Sequence, residues 1–463
     1  MSAAALLLPL LTLLPAPDDL PRSPASVKDL DKFAKDVAAY ASAQDKNDVP
    51  AAYESLDKIR DAADKLAKRV KVDNLLKYPG DWEQILERGK TEARDLKAAA
   101  GKGFVRHVYE WDSLRVVCMV SVPAAYGKGD AFCPAIMALK PMLGMAGETL
   151  EKEAVALATK AYAGLLATTL VIVPLGPEQV ADRKPQVREI EGSWMTEEGV
   201  RTVFWGLRVL LERVHFDHSR VVLDGWKDAG LDAVLLASSF PSWFAGVINR
   251  SGDIGDAGVL WGNLGGCAVL YVDGGSDARG ADLAALRASC DGRTELTVLA
   301  DGQTAIDLSE AGRTQLIEWI GARRKDVAPT RIRYSLGDQR FQSVAWLTAD
   351  NINKRASAKP GDPDFPLMEA EIDKAANAIR IRTVNVTDLS VFLNDGLVDL
   401  SKPVVIEVNG KERVKDMFAR DLLFLFENRY FNNSGDYGVY MNKASVTGIE
   451  LNVPKAADGG SSK

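Results

Sequence analysis

The chain has 463 residues, enough for about two to four domains of roughly 150 residues and for a sizeable buried core. Hydrophobic residues make up 47% and charged residues 26%, proportions that exclude a disordered, collagen-like or coiled-coil protein. The net charge of −7 provides no basic surface for nucleic acid or anionic lipid. We therefore expect a globular protein that binds no nucleic acid.

The N-terminus carries an apolar run at residues 3–14 (AAALLLPLLTLL). It is too short to span a bilayer, which requires about 20 apolar residues. Such a run, followed by Pro15, Ala16 and acidic residues, resembles the apolar core of a secretory signal. We therefore predict a signal peptide over residues 1–20, a periplasmic or secreted location, and no integral membrane segment in the mature chain.

Residues 25–100 have helical periodicity throughout. Ser26 with an acid at Asp29 is an N-cap arrangement. Apolar residues recur at helical spacing over residues 30–40, 50–70 and 81–99. The charged residues between them are expected to form solvated faces. The sequence therefore predicts a helical N-terminal segment over residues 25–100.

From about residue 103 the pattern alternates between strands and helices. A hairpin is predicted over residues 104–111 and 114–122. Short apolar runs, typical of strands buried on both faces, occupy residues 134–139, 169–173, 221–223, 268–272 and 295–299. Helical runs occupy residues 196–214, 231–239 and 309–323. This alternation predicts an α/β fold with a mostly parallel sheet and helices on both faces.

After Pro329 the helical periodicity disappears. Short strands are predicted at residues 343–348, 368–372, 379–383, 389–393, 404–408 and 437–441, and Asn409-Gly410 is a strong hairpin-turn signal. We predict that residues 328–455 form a separate all-β module, a small β-sandwich. A disordered polar tail is expected over residues 456–463.

None of the four cysteines forms a CxxC pair or a zinc-ligand spacing. Disulfides and buried free thiols both remain open for Cys118, Cys133, Cys267 and Cys290. The sequence has no metal-ligand cluster, no dinucleotide-binding glycine pattern and no phosphate loop. We expect neither a metal nor a cofactor.

The segment that bears on function is residues 217–252, DHSRVVLDGWKDAGLDAVLLASSFPSWFAGVINRSG. Asp217 and Arg220 precede a buried strand, Gly225 follows it, and residues 240–247 read Phe-Pro-x-x-Phe-Ala-Gly-Val. These features resemble the nucleophile-elbow region of α/β-hydrolases, especially the polyhydroxybutyrate-depolymerase, feruloyl-esterase and prolyl-oligopeptidase-like branches. The resemblance covers residues 103–325. It implies an α/β-hydrolase-like domain there.

The family pattern Gly-x-Ser-x-Gly-Gly is altered in this chain. Aligned on Gly225, the nucleophile position holds Lys227, and the other elbow residues are Trp226, Asp228, Ala229 and Gly230. Small residues around the turn let the nucleophile protrude, and the following backbone N–H faces the oxyanion. The small residues are retained but the serine is not, and an ammonium group cannot attack a carbonyl carbon unless it is desolvated.

The resemblance assigns the other two triad positions as well. The acid corresponds to Asp277, and the histidine base is replaced by Gln303 or by the adjacent Thr304. No histidine follows His218, and a glutamine cannot cycle a proton near neutral pH. The oxyanion loop reads Lys140-Pro141, and proline has no N–H to donate.

We therefore predict an exported pseudo-hydrolase that has a degenerate triad at Lys227, Asp277 and Gln303. Its role would be binding or scaffolding, with an unknown ligand or protein partner. The resemblance further implies that Lys227 and Asp277 lie within about 4 Å or are bridged through Gln303 or one water.

Two alternatives remain open. The protein could be an active esterase- or peptidase-type serine hydrolase with an unconventional site. The serines considered for such a site are Ser238, Ser239, Ser251 and Ser276. It could also be a structural protein whose flanking segments mediate assembly.

Overall fold

The computed structural model describes most of the chain outside its two termini. None of the helices in this described part is long and apolar enough to cross a membrane. The predicted signal run at residues 3–14 and the polar tail lie outside it. The described residues are 20–90, 94–111, 114–127, 132–181, 184–252, 259–274, 294–300, 306–337, 340–353, 356, 359–360, 362–429 and 438–451.

A nine-stranded sheet forms the centre of the molecule. Its strand order is β1-β2-β4-β3-β6-β7-β8-β9, with β5 paired to β4. The pairs from β4 to β9 along this path are parallel, whereas β1-β2, β2-β4 and β4-β5 are antiparallel. The strands are β1 (Phe104–Trp111), β2 (Leu114–Ser121), β3 (Cys133–Leu139), β4 (Leu170–Ala181), β5 (Lys184–Val187), β6 (Phe216–Trp226), β7 (Gly246–Arg250), β8 (Ala268–Asp273) and β9 (Leu296–Ala300).

Helices cover both faces of this sheet, as predicted. Along β6, Val221 and Leu223 face one apolar core while Val222 faces the other, because alternate residues of a strand point to opposite sides. The helices α6 and α7 contribute to the first core, and α5 and α8 contribute to the second. Their bounds are α5 (Gly147–Ala161), α6 (Glu197–Arg213), α7 (Ala229–Ser239) and α8 (Glu310–Ala322).

Two strands differ from the sequence prediction. β4 runs on to Ala181 and pairs with β5, a strand that was not predicted, and β6 begins five residues before Val221. The added parts include polar residues: Glu178 on β4 bonds Arg106 at 2.6 Å and Arg115 at 2.6 Å. The uninterrupted apolar runs of the sequence therefore predict only part of the length of these two strands.

The N-terminal segment is helical, as its periodicity predicted. The backbone N–H of Ser26 donates to the Asp29 carboxylate at 3.2 Å, which completes the N-terminal cap of the first helix. The third predicted run is divided into two helices rather than one. The helices are α1 (Val27–Asp45), α2 (Val49–Val70), α3 (Pro79–Arg88) and α4 (Arg94–Ala98).

Two further sheets follow Pro329. One has the order β10-β13-β14-β16-β17, in which β14-β16 is parallel, and the other has the antiparallel order β11-β12-β15-β18. In the β16–β17 hairpin, Asn409 and Gly410 both have positive φ (53° and 76°), as a primed turn requires. The strands are β10 (Arg331–Ser335), β11 (Ser343–Val344), β12 (Leu347–Ile352), β13 (Leu367–Asp373), β14 (Ala378–Val384), β15 (Val386–Leu393), β16 (Val404–Val408), β17 (Lys411–Asp416) and β18 (Asn442–Val446).

This C-terminal part departs from the prediction of strands alone. A short helix, α9 (Leu422–Glu427), lies between β17 and β18, and the last strand follows rather than coincides with residues 437–441. The domain boundaries stay predictions. Within the described residues, however, the N-terminal helices and the C-terminal strands share one apolar core. Tyr40 on α1 and Trp82 on α3 both contact Phe426 on α9, with ring centroids 4.6 Å and 6.5 Å apart. Because an amphipathic helix needs an apolar surface to pack against, the helices use the one that these strands provide.

Cys118, Cys133 and Cys267 form no disulfide, and Cys290 lies outside the described residues. Burial raises the pKa of both Cys133 and Cys267 to about 12. These two thiols are therefore protonated at neutral pH.

A buried polar cluster joins α3 to the beginning of β6. The Glu87 carboxylate accepts from the backbone N–H of Phe216 at 2.9 Å, lies 2.5 Å from His218 Nε2 and pairs with Lys90. Burial, assisted by Lys90, lowers the pKa of His218 to about 3. Burial acts to raise the pKa of Glu87, but Lys90 and His218 outweigh it and lower this pKa to about 2. At neutral pH the cluster therefore holds an ionised Glu87, a charged Lys90 and a neutral His218.

This cluster predicts a loss of stability in acid. Below pH 6.5 the unfolded chain protonates His218 while the folded chain does not, so the free energy of unfolding falls by up to about 1.4 kcal/mol per pH unit. Burial raises the pKa of nearby Glu83 to about 6, which acts in the opposite sense between pH 4.5 and 6. We therefore expect His218→Gln to reduce the acid sensitivity, measured as the difference between wild-type and variant urea unfolding curves from pH 7.5 to 5. His107→Gln, on β1, is the matched control and should retain the wild-type slope. Parallel curves for wild type and His218→Gln would contradict the prediction.

Candidate active site and the elbow after β6

The chain turns sharply between β6 and α7. β6 ends at Trp226, α7 begins at Ala229, and Lys227 between them has φ 53°. A positive φ is rare in residues other than glycine and marks a strained backbone. This order of strand, strained residue and helix is the geometry of a nucleophile elbow, with Lys227 at its turn.

Small residues make this turn sterically possible. A Cβ atom on Gly225 would lie 2.1 Å from the Ala229 carbonyl oxygen, and one on Gly230 would lie 2.3 Å from Asn249 Oδ1. These close contacts explain why glycine occupies both positions, as the sequence motif implied. The central unit has an α/β-hydrolase fold. Trp226 is fully buried and packs against Tyr162 at 5.8 Å between ring centroids, so it belongs to the core.

Solved hydrolases share this fold over less than half of the chain. No protein-family model matches the sequence, and no curated protein matches it. A thermostable esterase is 16% identical over 48% of this chain and 64% of its own, with a TM-score of 0.37. An S-formylglutathione hydrolase from Agrobacterium tumefaciens is 13% identical over 48% and 94%, with a TM-score of 0.34. Est1E from Butyrivibrio proteoclasticus is 8% identical over 47% and 99%, with a TM-score of 0.31. A likeness at this level transfers neither an activity nor a substrate.

The Asp228 carboxylate contacts the loop that follows β3. In this fold the oxyanion accepts from the N–H of the residue after the nucleophile and from an N–H in the loop after the third strand. Here that loop supplies the Met142 N–H, which donates to Asp228 Oδ2 at 3.1 Å. A backbone donor of this loop is therefore engaged by a carboxylate of the elbow.

The loop that carries Met142 is fixed by a buried ion pair. Lys140 is fully buried and pairs with Glu189. The Glu189 carboxylate also accepts from the N–H groups of Leu143, Gly144 and Met145 at 2.9, 2.7 and 3.2 Å. Although burial acts to raise it, the pKa of Glu189 is lowered by Lys140 and by these N–H groups. From the sequence, Lys140-Pro141 was notable only because proline lacks an N–H donor. In the structure, Lys140 anchors the loop.

A second buried ion pair lies beneath the elbow. Arg250, at the end of β7, and Asp224, within β6, are both fully buried. Arg250 Nε lies 2.9 Å from Asp224 Oδ1, its Nη2 lies 2.7 Å from Oδ2, and the Tyr162 hydroxyl donates to Oδ2 at 2.8 Å. The Arg250 carbonyl oxygen in turn accepts from the Lys227 N–H at 2.8 Å. The backbone of the elbow is thus bonded to the strand that carries this pair.

Sequence reasoning missed this pair, although a signal was present. A single acid interrupts the apolar run of β6, and a single base ends the apolar run of β7. Isolated charges inside two neighbouring buried strands are expected to neutralise each other, since an unpaired buried charge is costly.

The other predicted triad positions cannot be compared with Lys227. Asp277, Gln303, Thr304 and Ser276 lie outside the described residues. The predicted distance between Lys227 and Asp277 therefore stays a prediction. Lys227 and Asp228 themselves are solvent-exposed, and no ion pair of Lys227 occurs within the described part of the chain.

All three histidines lie in the described residues and away from the elbow. His215 and His218 lie at the start of β6, whereas Lys227 follows its end; Phe216 pairs with Cys133 and Gly225 with Leu139, so the two ends are about 20 Å apart along β3. His107 is on β1, which is four strands from β6 in the sheet, roughly 19 Å. None of them can act as a general base for a group at Lys227.

The three described candidate serines already bond main-chain oxygens. The hydroxyls of Ser238 and Ser239 both donate to the Leu235 carbonyl at 2.9 Å. Ser251 has φ 56°, and its hydroxyl donates to the Val272 carbonyl at 3.1 Å. Ser251 thus has a positive φ like the elbow residue Lys227, and its hydroxyl is bonded to a main-chain carbonyl oxygen.

We predict that breaking the pair beneath the elbow unfolds the protein more easily. Asp224→Asn leaves the Arg250 charge buried and uncompensated, so the free energy of unfolding should fall by about 3–5 kcal/mol. The control is Glu295→Gln, which removes a partly exposed pair with Arg323 at 2.8 Å and should cost about 1 kcal/mol or less. Urea denaturation measures both changes. If the free energy of unfolding fell equally in the two variants, the prediction for the buried pair would be wrong.

Proposed function

We propose that the protein is an exported pseudo-hydrolase that uses an α/β-hydrolase fold for binding or scaffolding. The observation that carries the proposal is the pair of changes at the elbow: Lys227 in the nucleophile position and the Asp228 carboxylate on the Met142 N–H. The first change removes the hydroxyl that would attack an ester or peptide carbonyl. The second replaces a vacant oxyanion donor with a fixed negative charge.

Two properties of Lys227 argue against its use as an amine nucleophile. A lysine must be desolvated, or placed beside another cation, before its amine can attack. Lys227 is exposed to solvent, and the neighbouring Asp228 is an anion. Lys227 therefore meets neither condition in the described residues.

An active hydrolase with an unconventional site is the rival function. Ser251 gives it its strongest support, because its positive φ at the end of β7 places a strained serine on the strand next to the elbow. Its hydroxyl bond to Val272 speaks against it, since a nucleophile needs a base rather than a carbonyl oxygen as its partner. Any such activity would be on ester or peptide bonds.

A serine-hydrolase probe separates the two functions. We expect a fluorophosphonate to leave the purified protein unlabelled under conditions in which a known serine esterase is labelled completely. Mass spectrometry of the tryptic peptides is the readout. Stoichiometric labelling at Ser238, Ser239, Ser251 or Ser276 would refute the pseudo-hydrolase.

Reversion of the elbow tests the role assigned to Asp228. We expect Lys227→Ser with Gln303→His to hydrolyse p-nitrophenyl acetate more slowly than the triple variant that also carries Asp228→Ala. The added change frees the Met142 N–H, and one oxyanion donor is typically worth about 10²-fold in kcat. Asp232→Ala in the same double variant is the control, because Asp232 bonds the Ser193 hydroxyl and the Trp194 N–H instead. If Asp228→Ala and Asp232→Ala had the same effect on the rate, the assignment would be wrong.

Export is the other part of the proposal, and residues 3–14 support it. We expect mass spectrometry of the protein from its native source to find a mature N-terminus beyond residue 14. A chain that begins at Met1 or Ser2 would remove the support for export.

A further inference from the structure

A large groove lies at the edge of the central sheet opposite to the elbow. Its volume is about 1100 Å³. One wall is formed by residues that precede β7 and β8, among them Pro241, Ser242, Gly262 and Gly266. These positions mark the amino edge of the parallel strands, whereas Lys227 follows the carboxyl end of β6. The groove is therefore separate from the hydrolase site.

The other wall is the outward face of the sheet that contains β10, β13 and β14. The strand register places charged side chains in two rows across these strands. The outer row has alternating and balanced charges: Arg331, Glu371, Arg380 and Glu407. The inner row consists of Arg333, Glu369 and Arg382. Arg333 reaches the opposite wall, with its Nε 3.7 Å from the place of a Cβ on Gly262.

The two arginines of the inner row have N–H donors that their shared carboxylate does not engage. Glu369 serves both arginines, one carboxylate oxygen for Arg333 and the other for Arg382 at 2.6 Å. Each guanidinium engages it through Nη1 alone, although a guanidinium has five N–H donors. Within the described residues the remaining nitrogens of these two arginines have no hydrogen-bond partner. Two arginines that share one acid thus form a local cationic site on a chain whose net charge is −7.

The spacing of this row selects a ligand conformation. β10 and β14 are separated by two inter-strand steps, about 9.6 Å in total. In a polyproline-II helix, residues i and i+3 lie on the same side and about 9.3 Å apart. Two acidic side chains three residues apart in such a segment can therefore reach Arg333 and Arg382 together. Arginine favours carboxylates because its planar donors match their geometry.

We propose that this groove binds an extended peptide segment that carries acidic side chains three residues apart. Arg333 and Arg382 bind the two carboxylates, and Glu369 holds both guanidiniums in position while the groove is empty. The inference goes beyond the proposed function, because the groove would bind the same peptide whether or not the elbow is catalytically active.

The test is a binding titration of the full-length protein by fluorescence anisotropy. The probe is a labelled twelve-residue peptide of Glu-Pro-Pro repeats. We expect saturable binding that weakens with added salt, because the contacts are partly exposed ion pairs. Peptides of Gln-Pro-Pro or Lys-Pro-Pro repeats should bind at least about tenfold more weakly.

We expect two variants of the inner row to change the affinity for the peptide in opposite directions. Arg333→Gln with Arg382→Gln should weaken binding by at least about tenfold, since two charge-assisted contacts are lost. Glu369→Gln should strengthen binding, because the carboxylate that competes with the ligand is removed. Arg60→Gln, an exposed change on α2 outside the groove, is the control and should bind as wild type does. Circular dichroism and urea unfolding curves establish that each variant is folded.

Three outcomes would overturn the proposal. They are equal binding of the lysine peptide, undiminished binding in the double arginine variant, and binding of polygalacturonate without binding of the acidic peptide. The last result would assign the groove to an acidic polysaccharide instead.

Discussion

The buried pair of Arg250 and Asp224 is the interaction on which the central unit depends. It joins β6 to β7 at the level where the chain must turn, and its two charges have no access to solvent. A pair of this kind contributes little net stability compared with apolar residues, but removal of one partner is costly. The strained Lys227 backbone directly above it is held by the Arg250 carbonyl. The geometry of the elbow therefore depends on residues that lie beneath it in the two strands, and not on the side chain at its turn.

In this molecule, the residues that shape the elbow are separate from the side chain at its turn. The glycines of the elbow remain because any Cβ there would collide with Ala229 or Asn249, whatever side chain occupies the nucleophile position. The loop after β3 remains in place because Lys140 and Glu189 fix it from below. Asp228 adds a contact between this loop and the elbow through the Met142 N–H.

The sequence predicted the structure well where a local motif requires one particular backbone conformation. The motif around Gly225 predicted the elbow, and Asn409-Gly410 predicted its hairpin, since both depend on the local backbone. Contacts distant in sequence were not predictable in this way. Nothing near Glu87 indicates that it accepts from Phe216, and nothing in α1 indicates that it packs against Phe426. The role of Asp228 was also missed, because it depends on where a loop from another strand places its N–H group.

The shared core of the N-terminal helices and the C-terminal strands has a consequence for biosynthesis. The apolar faces of α1, α2 and α3 are complete early in translation, but the strands that bury them follow roughly 230 residues later. Contacts of such long range form slowly, and exposed apolar surface promotes aggregation in the meantime. The first part of the chain therefore has to wait, unburied, for the last. A ribosome-bound chain that ends before residue 331 lacks the partner surface of its own helices, so chaperones have a long interval in which to bind them.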